Sequence, residues 1–315
     1  MRRIAAASIL GGLWCFYIWV ESKGNPADLP SGWHGIRAAS LDSAVPRVQE
    51  RRFQEKASRG LGDRASCLPI FVHLFSGPRR DGDLEEWVLR RSAAAGIQLM
   101  PVSMDLELGP QYDLRFAKAW SWLFRMAQAQ LIGVAFSGFP CRTFSRVRFL
   151  PGGPRPLRTR QYPYGVPWLS AAEKKKCQED TFMAENSAAL FSLIGRHGAH
   201  GLENPQDPGI PPYPSAWLLE EIRSYTSQVW CSAVDVDLCR FDWISRKPTS
   251  IRGHFRGLER MGLRCNHRGG HAPLMGRLAD GTFRTTPAQR YTSAFCAALS
   301  QCLVECYEDV IASRH

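Results

Sequence analysis

The chain has 315 residues, 44% hydrophobic and 22% charged, which excludes an intrinsically disordered protein and suffices for one large domain or two modest ones. Lys and Arg number 40 against 29 Asp and Glu, a formal charge of +11, and such an excess favours a polyanionic partner. Ten cysteines at irregular spacing, several inside apolar segments such as "AFCAALSQCLVECY", exclude a disulfide scaffold and suit reduced thiols in the nucleus or cytoplasm.

The N-terminus reads "MRR" and then the uncharged, mostly apolar run "IAAASILGGLWCFYIWV". A signal or membrane anchor is one reading, but the run is short for a span and shows no small-residue cleavage site. The stretch at its end, "WVESKGNPADLPS", resembles the end of the ribonuclease H domain of retroelement polyproteins. That resemblance implies an inactive remnant over residues 1–30, with Asp28 at the family's C-terminal acidic position. A membrane partner is then expected only if the apolar run is an anchor. Residues 31–66 are rich in Arg and Ser, lack apolar periodicity and read as a basic linker.

From residue 67 the pattern changes. "CLPIFVHLFSG" is a continuous apolar run closed by Gly, the mark of a strand buried on both faces. "DLEEWVLRRSAAAG" has helical spacing and a closing Gly. "IQLMPVSMD" is a second strand, "LRFAKAWSWLFRMAQAQ" a helix and "LIGVAFSG" a third strand. "TFMAENSAALFSLIGRHG" predicts another helix, leading to a fourth strand, "AHGLENP". Strands alternating with helices predict an α/β domain over residues 67–315, a doubly wound, Rossmann-like parallel sheet. Ligands of such sheets sit beyond the carboxyl ends of the strands, which here carry "HLFSG", "SGFPC" and "LENP".

At the first of these ends, Phe75-Ser76-Gly77 lets backbone approach a ligand, and Asp105 stands 28 residues after Gly77, near where such folds place an acid on a ribose. At the second, Cys141 follows Pro140. From Cys141 to Ala172 there are six arginines and no carboxylate, with Arg142, Arg146 and Arg148 nearest. Clustered cations stabilise a thiolate, the nucleophilic form. Phe144, Phe149, Tyr162, Tyr164 and Trp168 interleave with them, a mixture that suits a nucleic-acid groove or, on the plainer reading, an Arg-rich loop with core aromatics. At the third end, Glu203 directly after an apolar pair reads as a carboxylic acid able to donate a hydrogen bond or proton, or as a solvated turn residue.

The order "FSG" at 75–77, "PCRTFS" at 140–145 and "ENP" at 203–205, with "CRFDWISRKPTSI" and "TTPAQRYTSAFCAAL" further on, resembles the DNA (cytosine-5) methyltransferases over about residues 67–310. The resemblance implies transfer of a methyl group from S-adenosylmethionine to a flipped-out cytosine of DNA. It assigns Cys141, Glu203 and Arg240 to catalysis. Phe75, Ser76, Gly77, Asp105 and Pro140 fall to S-adenosylmethionine, and Arg142, Arg146, Arg148, Lys247 and Thr249 to the nucleic acid. Where the family's loop continues with glycines, this chain runs "GPRRDGDL". The competing expectation is therefore a degenerate, methyltransferase-like nucleic-acid-binding protein of retroelement origin.

The stretch 251–284 holds seven arginines against Glu259 and Asp280 and is expected to be a short, irregular, basic recognition segment. Within it "RCNHRGGH" offers Cys265, His267 and His271 as three zinc ligands. A fourth is not evident locally, although Cys239 or His254 could serve. Lacking the paired spacing of known zinc sites, these residues are expected to be solvated or phosphate-contacting rather than metal-bound.

Overall fold

The computed structural model describes residues 68–314 apart from positions 152, 275, 277–278, 280, 282 and 286–288. The expected ribonuclease H-like remnant and linker lie outside the described residues. Six strands form one sheet: β1 (Ile70–Leu74), β2 (Met100–Met104), β3 (Ile132–Ser137), β4 (Ala199–Pro205), β5 (Ser232–Asp237) and β6 (Pro248–His254), in the order β2-β1-β3-β4-β6-β5. Among the described residues the helices of eight residues or more are α1 (Leu84–Ala94), α2 (Ala117–Gln128), α3 (Ala171–Ile194) and α5 (Ser293–Ala312), with the short α4 (Glu220–Thr226) before β5.

Strand periodicity sorts side chains to two faces. Ile70, Val72, Leu74, Ile132, Ala135 and Leu202 pack under α2, α3 and α4, against Trp120, Leu123, Phe191, Ile222 and Tyr225. Phe71, Val134, Phe136 and Ala199 face the other way and pack under α1 and α5, against Val88, Phe295, Leu299 and Leu303. Both faces are covered, which is why β1 and β3 read as unbroken apolar runs. The chain is thus an α/β protein of Rossmann-like type.

Four expected strands and the first two helices fall where the sequence places them. The third helix begins about ten residues earlier than its apolar pattern. Ser170 and Glu173 form a capping box there, and the charged "KKKCQED" that comes next is its first part, with Cys177 and Asp180 turned inward and the lysines solvated. The expected all-parallel sheet needs a correction. β1, β2, β3 and β4 are parallel, but β6 runs antiparallel to both β4 and β5. Only residues 238–247 join β5 to β6, too few for a parallel crossover and enough for a reversal. The expected recognition segment is also redrawn, because its first residues, Ile251 to His254, belong to β6.

Every cysteine among the described residues is a free thiol, and Cys296, Cys302 and Cys306 are buried on α5. Among the same residues no helix is long and apolar enough to cross a membrane.

Candidate active site

The chain reverses its strand order between β1 and β3, and the loops beyond their carboxyl ends flank one cleft of about 1930 Å³. Phe75, Ser76, Gly77, Asp105, Pro140, Cys141, Glu203, Lys247 and Tyr291 all line it. Most of the residues singled out from the sequence therefore meet in one place.

The loop after β1 is held in a strained shape. Phe75 has φ 57° and Gly77 φ 66°, left-handed values that are costly for a bulky residue and free for Gly. The Phe75 N–H donates to the Met104 carbonyl at 2.7 Å. The Gly77 N–H donates to Asp105 Oδ2 at 3.0 Å, and Asp105 Oδ1 accepts from the Glu107 N–H at 2.8 Å. Asp105 thus shapes this loop as well as facing the cleft. Beyond it, Arg79 pairs with Asp83 and Glu85, and Arg80 donates to the Tyr291 carbonyl. Burial alone pushes the Asp83 carboxyl up, but Arg79 and the N–H groups of Glu86 and Arg80 hold it below its ordinary value. Asp83 also caps α1. "GPRRDGDL" is therefore a closed, charged turn built on a helix N-terminus.

Besides Glu203 Oε1 and Trp243 Nε1, two buried polar atoms at this cleft lack a hydrogen-bond partner: His73 Nε2 on β1 and Asn204 Oδ1 on β4. Burial, with Arg80 and Arg79 nearby, lowers the His73 pKa to about 3, against the opposing pull of Asp83, so the ring is neutral. Asn204 is fixed by its Nδ2, which donates to the Phe139 carbonyl at 3.1 Å. Orphaned buried polar groups are expensive, so both atoms suit a ligand in the cleft.

The end of β4 carries the second half of the site. The Tyr291 hydroxyl donates to Glu203 Oε2 at 2.6 Å, and Lys247 Nζ lies 3.6 Å from Glu203 Oε1. The reversal of β6 makes this possible: Pro205 pairs with Thr249, so the start of β6 lies against the end of β4. Gly138 is required by the same packing, since a Cβ there would sit 2.3 Å from the Tyr291 hydroxyl oxygen. Burial, then Glu203, raises the Tyr291 pKa well above its ordinary value, so the phenol remains a donor.

Cys141 sits on the loop beyond β3, partly exposed. Burial pushes its thiol above the ordinary cysteine value, with Glu203 and Asp180 adding to the rise and Lys247 opposing it. This departs from the expected thiolate among arginines. Arg142 is turned to Asp180 at 2.7 Å and Glu179 at 3.2 Å, and Arg148 donates to the carbonyls of Arg142 and Arg155. Their charge serves the loop, and Lys247 is the cation that favours the thiolate.

A buried clamp fixes the Cys141 loop. Thr143 Oγ1 donates to Asp180 Oδ2 at 2.8 Å and accepts from Arg158 Nε at 3.0 Å. Arg158, fully buried over the Phe144 ring, also donates to Thr181 and to the Cys177 and Pro163 carbonyls. Sequence reasoning missed Asp180, Arg158 and Tyr291. The signal for the first two was a burial requirement between distant segments, which no local motif carries.

Other expected residues fall elsewhere. Arg240 lies on the turn after β5, where its Nη1 donates to the Arg264 carbonyl; it is absent from the cleft lining, which Lys247 joins instead. Thr249 is fully buried in β6, with its hydroxyl on the Lys247 carbonyl, and offers no surface to a polyanion. Arg146 is exposed at the cleft rim beside Arg148. Phe144 is core, whereas Tyr164 and Trp168 are exposed. Of the arginines in 251–284, Arg256 pairs with Asp309, Arg260 with Glu305 and Arg264 with Asp237, while Arg252 lies on Trp217. His254 Nδ1 donates to the Gly198 carbonyl at 2.9 Å, away from Cys265.

No protein-family model matches the chain, and no curated protein does.

Proposed function

We propose that the protein is an S-adenosylmethionine-dependent methyltransferase that acts on cytosine in DNA through a covalent bond to Cys141. One observation carries the proposal. Cys141 lines the same cleft as a buried Glu203 held by Tyr291 and Lys247, and that cleft continues to the Phe75–Gly77 turn.

The residue chemistry fits. Carbon 5 of cytosine is a weak nucleophile until a thiolate adds to carbon 6, and Cys141 is the thiol at hand. Its proton must leave before attack, because burial keeps the resting thiol neutral. Lys247 favours that deprotonation and pairs with Glu203. Glu203, aligned by the Tyr291 hydroxyl, would, once it has taken up a proton, donate it or a hydrogen bond to the ring N3 and so stabilise the adduct. S-adenosylmethionine, when bound, would supply the methyl group that carbon 5 accepts, leaving as S-adenosylhomocysteine. The Gly77 turn, Asp105, His73 Nε2 and Asn204 Oδ1 are the groups that would hold it. Carbon 5 then loses its proton to water, the electron pair re-forms the C5=C6 bond, and the Sγ–C6 bond breaks to return Cys141 as the thiolate. A base inside a duplex cannot reach this cleft without leaving the stack, and Arg146, exposed at the rim, would meet its phosphates.

A second reading keeps the fold and loses turnover: a degenerate domain of retroelement origin that binds nucleic acid. It is favoured by the "GPRRDGDL" turn, which is closed by Arg79 with Asp83 and Glu85. Calorimetric titration with S-adenosylmethionine and transfer of labelled methyl groups to DNA separate the two. Saturable binding with label in 5-methylcytosine supports the enzyme; DNA binding with neither supports the degenerate domain.

A further inference from the structure

At the end of the edge strand β5, beside the cleft, four side chains converge that the methyl-transfer chemistry does not use. Cys239 lies on the turn Leu238–Phe241 after β5, while Cys265, His267 and His271 lie on the irregular segment after β6. One ligand atom from each lies within 4.8 Å of all the others. Cys265 Sγ is 3.4 Å from His267 Nδ1 and 3.5 Å from His271 Nε2. Tetrahedral zinc, with Zn–S of about 2.3 Å and Zn–N of about 2.0 Å, sets ligand–ligand separations of about 3.3–3.8 Å. The two measured spacings fall in that range.

We propose that Cys239, Cys265, His267 and His271 form a structural zinc site. Two thiolates and two imidazoles match the softness and tetrahedral preference of Zn²⁺, and four protein ligands leave no open position for catalysis. The residues around it fit the role. Asp237, buried, accepts from the Cys265 N–H at 2.8 Å and pairs with Arg246 and Arg264. These contacts hold the second cysteine over the turn that carries the first. Sequence spacing left the fourth ligand open between Cys239 and His254, because Cys239 is 26 residues before Cys265, on the far side of β6.

The consequence is architectural. His271 and Ala272 line the cleft, and the Ala272 N–H donates to the Ile244 carbonyl at 3.1 Å. A metal would pin this irregular segment to the end of β5 and so fix one wall of the cleft near Lys247. The inference stands on the quartet alone and does not require the methyltransferase reading.

The test uses the full chain purified without chelator, assayed for zinc by mass spectrometry and titrated with Co²⁺ after metal removal. The proposal expects about one zinc per chain and a cobalt spectrum of tetrahedral S₂N₂ type. Cys239→Ser and His267→Ala should each weaken zinc binding by more than about 100-fold, and Cys231→Ser, outside the quartet, should not. His267 is exposed, so its replacement is expected to leave the far-UV circular dichroism unchanged. A wild-type chain that binds neither metal overturns the site, as does one whose binding survives Cys239→Ser or His267→Ala.

Discussion

At the scale of single residues, the site turns on one cation. The family resemblance places Lys247 on the nucleic acid, yet it sits beside Glu203 and is the group that favours the Cys141 thiolate. Burial outweighs it, so the thiol lies above its ordinary value and its reactivity should climb with pH beyond the usual cysteine range, about 8.5. Lys247→Met removes this opposing charge and is expected to slow alkylation of Cys141 by iodoacetamide several-fold, on the order of tenfold, near neutral pH. Peptide mass mapping of the alkylated cysteine measures this directly, and an unchanged rate would detach Lys247 from the thiol. Cys141 and Glu203 were legible in the sequence because each sits at a strand end within a motif. Tyr291 was not, since its partner is 88 residues away and the two meet only in the folded chain, where Gly138 leaves room for them.

At the scale of elements, β6 decides what the cleft contains. Alternating strands and helices made four parallel strands readable, but the reversed strand has no helix before it and its short connection carries no hairpin signature. Its direction places Lys247 at Glu203 and buries Thr249. The loop carrying Cys141 is likewise set by an element the apolar pattern cut short. The early turns of α3 supply Asp180, which binds Thr143 and Arg142. Asp180→Ala strips the buried Thr143–Arg158 pair of its carboxylate, and a loss of about 1–3 kcal/mol is expected, as for a buried hydrogen-bonding group left without its partner. Urea unfolding at neutral pH measures it. A change below about 0.5 kcal/mol would show that the clamp does not hold the loop.

At the scale of the whole molecule, the two packed faces explain both stability and its acid limit. His200, fully buried between Phe191, Tyr225 and Trp230, satisfies both ring nitrogens, on the Tyr225 hydroxyl at 2.9 Å and the Gly195 carbonyl at 2.8 Å. Burial lowers its pKa from 6.5 to about 3, and His73 is lowered to about 3 as well. The sign follows from linkage: the unfolded chain binds these protons first, so the stability is full above pH 6.5 and is lost as pH falls toward 3. Each histidine contributes a slope of about 1.4 kcal/mol per pH unit within that window. Urea midpoints measured from about pH 7 to about pH 4 should fall accordingly, and His200→Gln should flatten the curve. A wild-type midpoint independent of pH would contradict the buried, neutral rings.

The fold itself was largely legible because parallel strands buried on both faces leave long apolar runs. The net charge of +11 was legible too, but its distribution was not. Arginines that read as phosphate contacts are spent in part on the fold, with Arg158 in the core and Arg256 and Arg260 on α5.

The central claim is that Cys141 is a nucleophile toward cytosine. DNA carrying 5-fluorocytosine, which cannot lose its substituent at carbon 5, should trap the enzyme in the presence of S-adenosylmethionine. Denaturing electrophoresis and intact mass spectrometry are expected to show a covalent protein–DNA species in the wild type, mapped to Cys141 and absent from Cys141→Ser. A wild-type protein that binds the same DNA and S-adenosylmethionine yet forms no covalent species, or forms it equally in Cys141→Ser, would contradict the claim.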